Sequence, residues 1–127
     1  GVPELLHGLA AQGIMLGMVT NKTEATARRV MAHYFPEVPF RFIWGNNGVR
    51  PLKPAPESGQ LMLCALGLTP EQIAFIGDGD TDIAFASALG FWALGACWGY
   101  LPRTVLAEQG ADALLETPEE LQKLLLG

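Results

Sequence analysis

The 127-residue sequence has few basic residues and no hydrophobic segment suited to crossing a membrane. Eight Lys and Arg residues against thirteen Asp and Glu give a formal charge of −5 and a pI near 4.9. This balance excludes the basic surface that binding to nucleic acid or anionic lipid requires. The longest uncharged stretch, 83–102, is divided by Gly90, Gly95 and Gly99, which predicts a helix end, a turn and a buried strand. We therefore expect a small-molecule ligand.

Cysteine is also scarce, since the chain contains only Cys64 and Cys97. The two form no CxxC pair, and a chain of this size can hold its core without a disulfide. We therefore expect reduced thiols and a cytoplasmic protein. The sequence also lacks an initiator methionine, which leads us to expect a piece of a longer protein.

The composition, with 50% hydrophobic and 17% charged residues, predicts one compact domain over residues 1–127. Apolar runs alternate with amphipathic segments along it. Predicted strands cover 14–20, 40–44, 73–77, 91–97 and 111–115, and predicted helices cover 3–12, 25–34, 57–66, 81–89, 102–109 and 118–126. The segment Gly45-Asn-Asn-Gly48 is interpreted as the turn that closes the second strand.

Apolar strands that alternate with helices are typical of a parallel sheet covered on both faces. We therefore predict an α/β fold with a Rossmann-like, doubly wound parallel sheet. Ligands of such sheets bind beyond the carboxyl ends of the strands, so the residues that follow each strand are the candidate site residues.

The first predicted strand ends at Thr20, and Asn21 and Lys22 lead into a helix that begins at about Thr23. A hydroxyl group beside the free N–H groups of a helix N-terminus suits a phosphate. The same residues are also typical of an ordinary helix N-cap. The pattern alone leaves both interpretations open.

Lys53 follows the second predicted strand, in the segment Arg50-Pro-Leu-Lys-Pro-Ala-Pro56. A proline after the lysine disfavours helical backbone there, and the prolines stiffen the segment, which predicts an ammonium group presented from a fixed, extended backbone. Such a point charge suits a phosphate or a carboxylate. A solvated lysine in a rigid loop explains the segment equally well.

Asp78, Asp80 and Asp82 place three carboxylates within five residues after the third predicted strand. Their mutual repulsion favours a compensating cation, and hard oxygen ligands favour Mg²⁺. A helix that starts between Asp78 and Asp82 would allow both to approach the ion, whereas Asp80 is better placed as the helix cap. The alternative is that all three only complement the helix dipole.

Three segments together resemble motifs II, III and IV of the haloacid dehalogenase superfamily: Met18-Val-Thr-Asn-Lys22, Leu52-Lys-Pro-Ala-Pro56 and Ile76-Gly-Asp-Gly-Asp-Thr-Asp82. With Cys97-Trp-Gly-Tyr100 they are most similar to the phosphoglycolate phosphatase branch. The pair Gly77-Asp78 resembles the fourth motif of the Mg²⁺-dependent phosphatases rather than the Ser-Asn form of the metal-free dehalogenases.

This resemblance implies hydrolysis of a small phosphate monoester, similar to phosphoglycolate, through an aspartyl-phosphate intermediate. It implies that Thr20 and the backbone at Asn21 bind the phosphoryl group. It implies that Lys53 bridges the phosphate and the nucleophile, that Asp78 ligates Mg²⁺, and that Asp82 supports the ion or its waters. Such roles suit phosphoryl transfer, which needs mostly positioning and electrostatic stabilisation.

The family's first motif, Asp-x-Asp, which supplies the nucleophile and the acid-base group, has no counterpart in the sequence. We therefore expect the C-terminal part of a phosphatase, without the first strand and the helical cap domain, and inactive by itself. In the resembled fold the missing first strand lies at the centre of the sheet, between the strand ending at Thr20 and the strand 73–77. We expect its place to be filled by the missing N-terminal segment, which we favour, by a neighbouring chain, or by direct pairing of those two strands.

Two other classes of function remain as alternatives. A receiver-like signalling domain is also doubly wound with an acidic pocket, a Thr and a Lys, but receivers place the acidic pair after the first strand. A non-catalytic module that binds Mg²⁺ or completes a partner chain is the other. For the phosphatase, we expect a small phosphorylated metabolite as partner and no nucleic acid or membrane.

Overall fold

The computed structural model describes residues 1–99 and 101–126 and contains helices and strands in the predicted alternation. The helices are α1 (Val2–Ala11), α2 (Glu24–Tyr34), α3 (Glu57–Leu66), α4 (Asp80–Leu89), α5 (Arg103–Glu108) and α6 (Pro118–Leu126); the strands are β1 (Leu16–Thr23), β2 (Phe40–Asn46), β3 (Ala74–Gly77), β4 (Trp92–Ala96) and β5 (Ala113–Leu115). Among these described residues, no helix has both the length and the apolar character needed to cross a bilayer.

The chain divides into two compact units, one formed by Gly1–Arg50 with Pro118–Gly127 and the other by Pro51–Thr117. In the first unit β1 and β2 form a parallel pair, and in the second β3, β4 and β5 form a parallel sheet with β4 at its centre. Every strand pair in the described residues is parallel. The predicted α/β fold with parallel sheets is therefore confirmed.

The core of the second unit forms around β4, which is buried from Ala93 to Ala96 because strands pair with it on both sides and helices α4 and α5 pack against it. Helix α4 packs against β3 and β4. Its Phe85 is fully buried, with its ring centroid 5.0 Å from that of Phe75 and 6.3 Å from that of Phe91. This packing fixes the carboxyl end of β3 against the start of α4, where the three aspartates lie.

In the first unit, α2 packs against the β1–β2 pair and α1 packs against α6. The helices bury Leu5 and Leu9 of α1 and Leu121 of α6. Leu5 and Leu9 are four residues apart, a spacing that places both side chains on one face of α1. All six helices lie within one residue of their predicted ends.

Strands β1 and β2 extend beyond their predicted ends, which were Thr20 for the first strand and Trp44 for the second. Strand β1 continues to Thr23 and β2 to Asn46, because the two pair again at Thr23 and Asn46 beyond an irregularity in their register. Gly45 is thus a buried strand residue and not a turn. A Cβ atom there would lie 2.6 Å from Cα of Glu24, so the glycine permits a close approach of two backbones.

Strands β1 and β3 each form the edge of a sheet. In residues 1–99 and 101–126, β1 pairs only with β2, and β3 pairs only with β4. Pairing of β1 with β3, one of the three arrangements considered from the sequence, is absent from the described residues. An edge strand leaves backbone N–H and C=O groups without ladder partners, and the side chain of Ile76 in β3 is 38% exposed.

Candidate active site

Lys53 and Asp82 form an ion pair that is nearly buried. Nζ of Lys53 donates a hydrogen bond of 2.5 Å to Oδ1 of Asp82, and the two side chains are only 9% and 14% exposed. Nζ of Lys53 also lies 5.4 Å from the centroid of the Phe75 ring, at a distance that favours a cation–π interaction. The ammonium group is therefore held in a fixed position with little access to water.

The backbone around Lys53 is a tight turn and not the extended segment that the prolines predicted. The N–H group of Ala55 donates to the carbonyl of Leu52 at 2.9 Å and closes the turn, and the Lys53–Pro54 peptide bond is cis. A following proline disfavours helical backbone at the lysine but leaves several turn conformations open. The structure selects one of these and directs Lys53 to Asp82.

Asp82 is fixed by the first turn of α4. Gly79 is the N-cap of the helix, and its N–H group donates to Oδ2 of Asp82 at 3.2 Å. This bond is one half of a capping box, in which the third helical residue reaches back to the cap. A Cβ atom on Gly77 would collide with the side chain of Asp82. Glycine at the end of β3 therefore leaves room for this carboxylate.

Asp80 has a different place from the one predicted. It is the first residue of α4 rather than its cap, and its Oδ1 accepts a 2.9 Å hydrogen bond from the N–H group of Thr81. Gly79 takes the cap position because its backbone is extended there (φ −118°, ψ 161°), while Asp82 makes the capping hydrogen bond. Asp80 is exposed and still complements the positive end of the helix.

Asp78 directly follows β3 and is half-buried. The N–H group of Leu101 donates to its backbone carbonyl at 3.1 Å. Gly99 lies against the Asp78 side chain, so closely that a Cβ atom on the glycine would collide with it. Of the segment Cys97-Trp-Gly-Tyr100, Tyr100 lies outside the described residues.

The prediction placed Thr20 and Asn21 between the end of a strand and the start of a helix. In the structure both residues lie inside β1. Helix α2 begins at Glu24 with Thr23 as its N-cap, so the free N–H groups of the helix lie farther along the chain. Oγ1 of Thr20 accepts a 3.2 Å hydrogen bond from the N–H group of Lys22. The reason for the difference is the second point of pairing with β2, which extends β1 past Thr20.

Sequence reasoning missed a polar cluster of Glu24, Gly45 and Arg50 in the first unit. Oε1 of Glu24 accepts hydrogen bonds from Gly45 N–H at 3.1 Å and from Arg50 Nη2 at 2.5 Å. The bond from Gly45, together with the Arg50 guanidinium group, lowers the pKa of Glu24 below its ordinary value. Arg50 also lies 5.3 Å from the Trp44 ring. An acidic residue at a helix start and an arginine near a strand end are the only signals the sequence offers.

The described residues contain no group of three or more His, Cys, Asp and Glu side chains that could hold a metal ion. Mg²⁺ in phosphoryl-transfer sites is bound by one or two carboxylates together with waters and substrate phosphate. A single carboxylate from this chain at Asp78 therefore fits such an ion. Both oxygens of Asp82 already accept hydrogen bonds, from Lys53 and from Gly79.

The family model for haloacid dehalogenase-like hydrolases matches residues 1–96. The phosphoglycolate phosphatase of Salmonella typhi is 33% identical over 94% of this chain and 48% of its own length. The N-acetylmuramic acid 6-phosphate phosphatase of Pseudomonas aeruginosa is 32% identical over 98% of this chain and 56% of its own length.

The crystal structure of a predicted phosphoglycolate phosphatase from Haemophilus somnus superposes with a TM-score of 0.89 at 28% identity, over 98% of this chain and 55% of that chain. The chain thus spans about half the length of the proteins it matches. With the family model matched over residues 1–96 and the parallel α/β fold in common, the chain belongs to the haloacid dehalogenase-like hydrolase family.

Proposed function

We propose that the protein containing this chain is a Mg²⁺-dependent phosphatase that hydrolyses a small phosphate monoester through an aspartyl-phosphate intermediate. The observation that carries the proposal is the nearly buried Lys53–Asp82 pair at the start of α4, in the unit that also contains Asp78. Two curated relatives are phosphatases, one named for phosphoglycolate and one for a sugar phosphate. The substrate class they share is a phosphate monoester, and a phosphoglycolate-like compound is our first candidate.

The proposed role of Lys53 is to neutralise negative charge on the phosphoryl group. Phosphoryl transfer depends on positive charges that are already in place when the transition state forms. Asp82 and the Phe75 ring hold the ammonium group of Lys53 before substrate arrives. Asp82 is thus proposed to orient Lys53. We also propose that Asp82 supports Mg²⁺ or a water bound to it.

Asp78 is proposed to hold Mg²⁺, an ion that would withdraw negative charge from the phosphoryl oxygens. Thr20 and the backbone at Asn21 are proposed to bind the same phosphoryl group by hydrogen bonds. The Thr20 hydroxyl accepts from the Lys22 N–H group, and its own proton remains available to donate. In this proposal, phosphate binding and charge neutralisation come from Lys53, Asp78, Thr20 and Asn21. None of these four residues is the nucleophile.

We further propose that residues 1–127 form one partial core domain without a cap, and that the attacking aspartate comes from outside this sequence. Its source is proposed to be an N-terminal segment or a neighbouring chain, and β1 and β3 offer the strand edges that such a segment needs. The two cysteines are free thiols, which is consistent with the reducing cytoplasm in which we place the protein.

The test is phosphate release by the intact protein from a panel of small phosphate monoesters, with and without Mg²⁺. Asp78→Asn should weaken the Mg²⁺ dependence and Lys53→Ala should lower the maximal rate, each by about 2–4 kcal/mol of transition-state stabilisation. Asp80→Asn and Lys123→Ala serve as matched controls, because Asp80 bonds to its own helix and Lys123 is exposed on α6.

Three results would oppose the proposal. Hydrolysis that does not depend on Mg²⁺ would exclude the metal-dependent mechanism. Equal losses in the Asp80 and Asp78 variants would show that the metal ligand is wrongly assigned. Binding of Mg²⁺ without hydrolysis of any monoester would favour the alternative of a non-catalytic Mg²⁺-binding module.

A further inference from the structure

The segment that follows β4 is anchored at several points. The N–H group of Cys97 donates to the carbonyl of Leu115 at 2.8 Å, which extends the contact between β4 and β5. The N–H group of Gly99 donates to the carbonyl of Ala96 at 3.3 Å. Leu101 then donates to the carbonyl of Asp78 at 3.1 Å. The backbone near Gly99 is therefore tied both to the end of its own sheet and to Asp78.

Gly99 is exposed, yet it has no room for a side chain. A Cβ atom built on it would collide with Cβ and Oδ2 of Asp78 and lie 2.7 Å from Cγ. Rotation of Asp78 about χ1 moves the carboxylate but leaves Cβ in place, so no rotamer of Asp78 relieves the collision. The two backbones would have to separate, against the hydrogen bond from Leu101.

The requirement for glycine at position 99 is one of space and not of backbone conformation. The glycines with positive φ are Gly13, Gly48, Gly67, Gly90 and Gly110, and Gly99 is not among them. An exposed position without a positive φ usually accepts alanine at little cost. The close approach to Asp78 is what makes this position different.

We propose that Gly99 is a positioning residue for Asp78. Without a side chain at position 99, the segment after β4 closes against Asp78 and sets the direction of its carboxylate. This inference rests on the proposed function, in which that carboxylate holds Mg²⁺. A methyl group at position 99 would displace the carboxylate, and loss of such a supporting contact typically weakens metal affinity or activity by about 10- to 100-fold.

Gly95 provides a matched control for the same Gly→Ala change. It lies in β4, and a Cβ atom there would meet Leu114 Cδ2 at 2.9 Å and Leu106 Cδ1 at 3.4 Å. Those atoms are the ends of flexible side chains, and none belongs to Asp78. Gly95→Ala therefore introduces the same methyl group four residues before Gly99 without touching the carboxylate.

The first measurement is the dissociation constant of Mg²⁺ for the intact protein, determined by calorimetric titration. Gly99→Ala should raise it by about 10- to 100-fold, whereas Gly95→Ala should leave it at the wild-type value. If wild type binds Mg²⁺ and Gly99→Ala binds it equally well, the inference is wrong while the proposed function stands. If Gly95→Ala weakens binding as much as Gly99→Ala, a general disturbance of β4 explains the loss and the inference also fails.

Failure of the wild-type protein to bind Mg²⁺ in the first measurement would refute the proposed metal site. The second measurement needs no metal, so it tests the contact between Gly99 and Asp78 in either case. Gly99→Ala is compared in the wild-type and Asp78→Gly backgrounds by thermal unfolding. The Asp78→Gly change removes every side-chain atom that the new methyl group would meet at residue 78. The fall in Tm should be smaller in that background, and equal falls in both backgrounds would overturn the proposed contact.

Discussion

Removal of the negative charge at Asp82 is expected to destabilise the fold because it leaves the Lys53 ammonium group unpaired in a nearly buried place. Loss of one partner of a buried ion pair costs about 3–5 kcal/mol. Asp82→Ala also removes the acceptor for the Gly79 N–H group, so we expect an effect in this range. Asp82→Asn also removes the charge, and its NH2 group would face one of the two donors, Lys53 or Gly79, so it should destabilise the fold by about 3 kcal/mol as well.

A surface ion pair with the same separation supplies the control. Arg103 Nη1 and Glu116 Oε1 are also 2.5 Å apart, but their side chains are 56% and 50% exposed. Exposed pairs contribute about 0–1 kcal/mol, so Glu116→Ala should have little effect. The assay is urea unfolding at pH 7 of all variants, with the free energy of unfolding extrapolated to water.

Replacement of both charges gives a further check on the physical cause. A Lys53→Met/Asp82→Leu double variant leaves no buried charge unpaired, so it should be more stable than Asp82→Ala. The reasoning would be refuted if Asp82→Ala and Glu116→Ala cost the same free energy. It would also be refuted if the double variant were as unstable as the sum of its two single variants, because burial and pairing would then not determine the cost.

Three further predictions concern activity and pH. The 127-residue chain alone should hydrolyse no aryl phosphate in the presence of Mg²⁺; turnover that survives repurification and disappears in Asp78→Ala would contradict the absence of a nucleophile. In the intact protein, Thr20→Val should lower kcat on the order of 10²-fold with only a small fall in Tm from loss of the exposed Lys22 N–H bond, and Thr20→Ser should retain activity. The Gly45 N–H bond lowers the pKa of Glu24 in the folded protein. The ionised Glu24 side chain therefore stabilises the fold fully above its pKa in the unfolded chain, and this stabilisation is lost as pH falls through its pKa in the folded protein. Urea unfolding should therefore show Glu24→Gln less stable than wild type at pH 7, with the difference disappearing in acid; a constant difference would contradict the linkage.

Local sequence signals alone determined the helices and the order of the motifs. Gly67 and Gly90 end α3 and α4 in left-handed conformations, with φ of 65° and 76°, and a glycine's freedom at positive φ is a property of that residue itself. Helix periodicity and caps act over only a few residues, so they can be read without knowledge of the fold. The same holds for the parallel α/β class, since strands that alternate with helices have few other arrangements.

Tertiary structure decided the features that depend on residues far apart in the sequence. The length of β1 was set by its second point of pairing at Asn46 of β2, and no signal near Thr20 predicts it. The Lys53–Asp82 pair and the contact of Gly99 with Asp78 likewise join distant segments. Sequence spacing identified the three aspartates as a group, but only packing determined their separate contacts. Asp82 binds Lys53, Asp80 bonds to its own helix, and Asp78 faces Gly99. The physical reason is that strand register and close backbone approach depend on long-range packing, which propensity and periodicity do not encode.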